Sequence, residues 1–197
     1  MPGKVPMIAD ATTNTATNTL FGPVRRTRGM VHVYTGEGKG KTTASIGLAV
    51  RAAGAGLNVF FAQFLKGQPT SELAMLARLS DRIMVRRFGG HEFVRDGGTA
   101  VDAAEAARGL ATATEAITSG RYGLIVLDEI NLAVATGLLD VTDVLAMIDL
   151  VPPTTTLVLT GRYATDAVIR SADLVTEMRE IKHYYHSGVP ACAGIEM

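Results

Sequence analysis

The segment Thr35-Gly36-Glu37-Gly38-Lys39-Gly40-Lys41-Thr42-Thr43 constrains this chain more than any other. It follows a short apolar run, Met30-Val31-His32-Val33-Tyr34, and precedes residues 44–53, which are rich in helix formers and poor in charge. Alternating glycines between a strand and a helix leave backbone N–H groups free to turn toward one point. With the positive end of the following helix they make a nest for an anion. Lys41 adds a full charge aimed at phosphate oxygens, and Thr42 offers a hydroxyl to Mg²⁺. These are the parts of a Walker A phosphate loop. Two details depart from the usual pattern. Thr35 stands where the first glycine is expected, and Lys39 supplies a second cation.

The surroundings extend this reading into a fold. Gly54 and Gly56 are suited to stop the helix, since glycine tolerates the left-handed cap. Residues 57–64 (LNVFFAQF) read as a second strand. Strand, glycine loop, helix, strand is a βαβ unit, and it implies a parallel sheet with right-handed crossovers. Further strands are expected at 83–88, 123–127, 156–160 and, more weakly, 174–178. The run Gly123-Leu124-Ile125-Val126-Leu127 is continuously apolar, as a strand buried on both faces should be. Helices are expected over 71–79, 99–119, 141–150 and 164–171, with Asp140 placed to cap the third and Pro152-Pro153 ending it. The fold class is therefore α/β with a parallel sheet. No repeat and no linker divides the chain.

Composition narrows the class of protein. At 197 residues one domain is expected. An apolar fraction of 47% supplies a sizeable core and excludes a wholly disordered chain. Nineteen basic residues balance nineteen acidic ones, which argues against a generic nucleic-acid binder. The balance is uneven along the chain. Residues 1–28 hold Lys4, Arg25, Arg26 and Arg28 against Asp10 alone, a net of +3, which leaves the remainder at −3. Residues 9–19 (ADATTNTATNT) are polar and non-periodic. Residues 1–28 are therefore read as a flexible basic arm, either a solvated tail or a flap over a ligand, and residues 29–197 as the folded domain. The single cysteine, Cys192, forms no intrachain disulfide and is expected to be inertly packed. No apolar run approaches the roughly 20 residues of a membrane span, and no signal-peptide pattern opens the chain. A cytoplasmic location is expected.

A phosphate loop needs an acidic partner at the end of a buried strand. Leu127-Asp128-Glu129 provides two carboxylates there, suited to Mg²⁺ or Mn²⁺ directly or through water. Arg162, in Thr160-Gly161-Arg162, and Lys66, after the second strand, are placed to reach phosphate or ribose. Asn131 is placed to hydrogen-bond Asp128 or the nucleotide, or to cap the next helix. Binding of ATP or GTP with a divalent cation follows; the reaction does not.

Several segments in one order resemble a known family. They are TGEGKGKTT after VHVY, Phe64-Leu65-Lys66-Gly67, Val126-Leu127-Asp128-Glu129-Ile130-Asn131, Leu159-Thr160-Gly161-Arg162, and Ala172-Asp173-Leu174-Val175-Thr176-Glu177-Met178. Lys182-His183 and Gly194-Ile195-Glu196-Met197 close the series. Over residues 29–197 the chain resembles the ATP:corrinoid adenosyltransferases of cobalamin synthesis and salvage. The resemblance implies a RecA-like P-loop domain with helices on both faces of its sheet, usually a homodimer, served by an electron-donating flavoprotein. It implies transfer of the 5′-deoxyadenosyl group of ATP to a corrinoid reduced to Co(I), with triphosphate as leaving group and ATP reversed in the loop. Lys39, Lys41 and Arg162 would then be the catalytic cations, spreading charge on the leaving group. Thr35, Gly36, Glu37, Gly38, Gly40, Thr42, Thr43, Lys66 and Asn131 would join them around ATP. Thr42, Asp128 and Glu129 would hold the metal. No protein nucleophile is required, because cobalt is the nucleophile.

The corrinoid side departs from the family pattern. Better-known members carry two aromatics in a segment like Gly-Phe-Thr-Trp, which pack on the corrin. Here Gly89-Gly90-His91-Glu92-Phe93-Val94 matches that stretch, so His91 and Phe93 occupy the two aromatic positions, and the chain has no tryptophan. Two rival classes stand beside the transferase: a kinase or ATPase acting at the γ-phosphate, and an ATP-binding regulator without transfer chemistry. A kinase should show a lid of clustered arginines. Arg86 and Arg87 are adjacent in a strand and point to opposite faces, so they do not form one.

Overall fold

Strand parity organises the molecule. The computed structural model describes residues 27–66, 70–90 and 97–196. Among them six strands form one parallel sheet: β1 (Met30–Thr35), β2 (Val59–Phe64), β3 (Ile83–Phe88), β4 (Leu124–Asp128), β5 (Thr156–Thr160) and β6 (Leu174–Glu177). Their order across the sheet is β3-β2-β4-β5-β1-β6. Every residue of β2 and of β4 is buried, as expected for interior strands whose sequences are apolar without alternation.

Neighbouring residues of one strand point to opposite faces. Val59, Phe61, Leu124, Val126 and Val158 pack with Ala49 and Ala52 of α1 (Lys41–Gly54) and Leu76 of α2 (Ser71–Ala77). Phe60, Phe64, Ile125, Leu127, Leu157 and Leu159 pack on the other face. There they meet α3 (Ala100–Thr118), α4 (Ile130–Ala135), α5 (Val141–Asp149) and α6 (Asp166–Ser171). The expected α/β architecture, with a parallel sheet and helices on both faces, is the one observed.

The local signals account for most boundaries. Asp140 caps α5 by accepting from the Thr142 N–H. Thr99 and Asp102 form a reciprocal capping box at the start of α3. Gly56, at φ 85°, takes the left-handed turn after α1. Residues 41–43, read as loop from the sequence, are already the first turn of α1, whose N-cap is Gly40 at φ 117°. Two elements were not expected: α4, and a 3₁₀ turn at Tyr184–Ser187. Cys192 is exposed, which corrects the expectation that it is packed. No helix among the described residues is long and apolar enough to cross a membrane.

The parity rule has a functional consequence. Asp128 and Thr160 end β4 and β5, and Gln63 is the last but one residue of β2, all on the face that carries α1. All three are fully buried. Helix α1 runs over β2, β4 and β5, so its N-terminus meets those strand ends.

Candidate functional site

The phosphate loop is built by close backbone packing. Gly36, at φ 95°, and Gly38 lie against the chain leaving β6: a Cβ on either would fall 2.5 or 2.7 Å from the Met178 carbonyl oxygen. The Gly38 N–H donates to that carbonyl at 2.7 Å, and the Met178 N–H donates to the Thr35 carbonyl at 2.8 Å. Glycine is therefore required at 36 by approach and by conformation, and at 38 by approach. Thr35 turns its hydroxyl away from this contact and accepts from the Ala164 N–H at 3.3 Å.

Each cation of the loop region has a partner within the chain. The Lys41 ammonium is nearly buried and donates to the carbonyls of Gly36 and Gly38, both at 2.7 Å. Burial pushes its pKa below the ordinary lysine value, against the pull of Glu129 and with a further push from Arg162. Lys39 donates to Glu196 at 2.6 Å and to the Ile195 carbonyl at 2.8 Å. Arg162 pairs with Glu37 at 3.4 Å, both side chains largely exposed. Thr43 is exposed on the first turn of α1.

The acidic side is tighter. Asp128 is fully buried and receives three donors. Thr42 Oγ1 lies 2.9 Å from Oδ1, Thr160 Oγ1 lies 2.7 Å from the same oxygen, and Lys66 Nζ lies 2.8 Å from Oδ2. A buried carboxylate is tolerated only when its charge and lone pairs are met in this way. Glu129 follows in the left-handed region at φ 66°, and its N–H donates to Thr160 Oγ1 at 3.0 Å. Burial, reinforced by the neighbouring Asp128 charge, pushes the Glu129 pKa above the ordinary glutamate value.

Asn131 lies inside α4 and is buried, so it does not cap that helix; Glu129 holds the N-cap position. Its Nδ2 has no hydrogen-bond partner among the described residues. His91 and Phe93 fall outside the described residues. The structure thus brings Gly36 to Thr42, Lys66, Asp128, Glu129 and Arg162 to one end of the sheet. Three neighbours had no role in the sequence reading. Thr160 joins Asp128 to Glu129. Gln63 is in register with Asp128 and donates to Glu72 at 3.0 Å. Glu196 holds Lys39. Thr160 and Glu196 both lay in segments that carried the family resemblance, but nothing in their residue type announced a contact.

A glycine loop with its lysines, facing a buried strand-end aspartate, is a polyphosphate site in outline and leaves the reaction open. Comparison with known proteins decides the family. The model for "ATP:corrinoid adenosyltransferase BtuR/CobO/CobP" matches residues 27–197. The chain belongs to the ATP:corrinoid adenosyltransferase family. It is 35% identical to a corrinoid adenosyltransferase of Pseudomonas aeruginosa over 173 residues, covering 87% of this chain and 85% of that one. A Salmonella typhimurium protein, corrinoid adenosyltransferase CobA, is 34% identical over 86% of each chain. A Sinorhizobium corrinoid adenosyltransferase is 36% identical over 86% of this chain and 80% of its own. Within this family of corrinoid adenosyltransferases the expected P-loop type agrees with the parallel sheet and the loop described above.

Proposed function

We propose that this chain transfers the 5′-deoxyadenosyl group of ATP to the cobalt of a corrinoid reduced to Co(I), releasing triphosphate, in the making or salvage of cobalamin. One observation carries the reading: in a member of this family, Lys39, Lys41, Lys66 and Arg162 all gather at the strand ends around the phosphate loop. Four cations suit an anion that must leave whole, and electrostatic stabilisation of its developing charge is the contribution asked of the protein. Lys41 would leave the Gly36 and Gly38 carbonyls for phosphate oxygens. Arg162 would turn from Glu37, an exposed pair that costs little to break. Asn131 Nδ2, which has no acceptor among the described residues, would gain one from the nucleotide or its hydration.

Thr42, Asp128 and Glu129 fit Mg²⁺. They are hard oxygen donors, and Glu129 is held above its usual pKa by burial and the Asp128 charge, which a divalent cation would offset. Among the described residues no cluster of three or more His, Cys, Asp or Glu side chains occurs. Bound Mg²⁺ would offset part of the negative charge of the triphosphate.

On the corrinoid side, we assign Phe93 to packing on the corrin face, with His91 in the same sequence segment. A cytoplasmic homodimer supplied with electrons by a flavoprotein completes the proposal; the lack of a spanning helix among the described residues is compatible with it.

The test is spectroscopic. Mixed anaerobically with ATP, Mg²⁺ and cob(I)alamin, the protein should give a light-sensitive adenosylated product and inorganic triphosphate in equal amounts. ADP and phosphate without an alkylated corrinoid would identify a kinase or ATPase and overturn the proposal. Lys41→Ala should lower the transfer rate by at least about a hundredfold, the scale of losing one transition-state donor. Normal turnover by this variant would overturn the loop assignment.

A further inference from the structure

The phosphate loop touches the end of the chain through one residue. Lys39 is the extra cation that sets this loop apart from ordinary ones. Its ammonium touches no loop carbonyl. It donates instead to Glu196 Oε1 at 2.6 Å and to the Ile195 carbonyl at 2.8 Å, more than 150 residues away in sequence. The second Glu196 oxygen accepts from the Cys192 N–H at 2.8 Å, closing residues 192–196 into a small loop of their own. The Glu196 side chain is the more covered partner, 14% exposed against 40% for Lys39.

We propose that Glu196 sets the affinity of the site for triphosphate: its carboxylate occupies Lys39 in place of a phosphate oxygen, and residues 192–196 give way when the polyphosphate binds. This inference rests on the reading of the loop as a polyphosphate site. Two observations favour exchange over a fixed tripod of Lys39, Glu196 and phosphate. First, a carboxylate one hydrogen bond from Lys39 repels an incoming polyanion, and the repulsion falls as the carboxylate moves away. Second, the segment is lightly held. Every residue from 184 to 195 is exposed, and the two Lys39 bonds join its far end to the loop. Segments with few buried contacts and solvent-exposed hydrogen bonds open at low cost. A triphosphate that leaves would be replaced at Lys39 by Glu196, so the same carboxylate favours product release.

The experiment uses the full chain, with inorganic triphosphate and Mg²⁺ as the probe. Glu196→Gln keeps the shape and removes the charge; its single amide oxygen keeps one of the two accepted hydrogen bonds, from Lys39 or from the Cys192 N–H. It should bind triphosphate about fivefold tighter than the parent by calorimetry, the effect of removing one screened repulsion at short range. Triphosphate should inhibit its turnover at correspondingly lower concentration. A static positioning role predicts the opposite sign, so weaker or unchanged binding overturns the proposal. Cys192, the single cysteine of the chain and exposed, gives a second readout. A fluorophore on its thiol should change emission as triphosphate saturates the parent, and Lys39→Gln should show the shifted emission before any ligand is added. A label that stays silent while calorimetry shows saturation also overturns it. Failure of the parent itself to bind triphosphate would remove the functional reading together with this one; binding by the parent without the Glu196 effect removes this one alone.

Discussion

Thr160 shows how much of the site rests on single hydroxyls. It donates to Asp128 at 2.7 Å and accepts from the Glu129 N–H at 3.0 Å, so it fixes both carboxylate-bearing residues. Thr160→Val preserves shape and strand preference while removing both bonds. Hydrogen bonds to charged groups contribute about 1.5–3 kcal/mol and neutral ones about 1. A loss of about 2–3 kcal/mol in urea unfolding is expected, with a raised Mg²⁺ requirement for turnover; a loss under about 0.5 kcal/mol would show that Asp128 finds another donor. Glu129 makes a prediction of the opposite sign. Its folded pKa is raised, by burial first and Asp128 second, so the fold favours its protonated form. The stability it contributes is complete below the ordinary glutamate range and is lost as pH rises through the raised value. Glu129→Gln should therefore be more stable than the parent at pH 7 without metal. The two melting curves should converge near pH 4, and ATP with Mg²⁺ should reverse the order. A variant less stable than the parent at neutral pH would overturn the assignment. Asp128 and Glu129 were legible in the sequence because two carboxylates ending an apolar run have few other uses. Thr160 was not, because a threonine ending a strand is also an ordinary strand former.

Helix α3 carries a small-residue face against β2 and β3, and Gly109 marks the closest approach. A Cβ there would lie 2.7 Å from Phe64 Cε1 and 2.9 Å from Phe88 Cγ, two rings that are buried and packed on each other at 5.7 Å. Alanine gains about 1 kcal/mol over glycine in helix propensity. Overpacking a core of immobile rings costs about 1–3 kcal/mol. The cost should win, lowering the stability of Gly109→Ala by about 1 kcal/mol, or about 2–4 °C in Tm for a chain of this size. A rise in Tm would mean that the rings move aside. At this scale the sequence was legible wherever an element had length or continuous apolar character. Helix α3 spans nineteen residues, and all six strands were located to within about two residues of their ends. Helix α4 is not announced by the sequence because its six residues follow β4 after Glu129 alone and have no side-chain cap, whereas the equally short α6 is capped by Thr165. The start of α1 was placed three residues late because threonines and glycines read as loop, although the turn at Gly40 already commits Lys41 to the helix.

At the scale of the whole molecule, the strand–loop–helix–strand pattern implied parallel strands but not their order. The order β3-β2-β4-β5-β1-β6 inserts β4 and β5 between the two strands that α1 connects, and this brings Asp128 to Thr42. No local signal encodes that insertion; it follows from which faces pack together. The charge distribution is a second property of the whole chain. Residues 1–26 carry a net charge of +2, so their removal leaves a body at −2. Thr27 and Arg28 should be retained, since Arg28 pairs with Asp173 at 2.7 Å beside β6. If residues 1–26 contribute to capture of an anionic substrate, the truncated protein should show an apparent KM for ATP raised about two- to fivefold at low salt, with kcat little changed. The difference should fade as ionic strength rises from about 0.01 to 0.15 M, where the Debye length falls from about 30 to 8 Å. An effect that persists at high salt would assign the arm a contact role, at the nucleotide or at a neighbouring subunit. Identical kinetics at every salt concentration would make it a solvated tail.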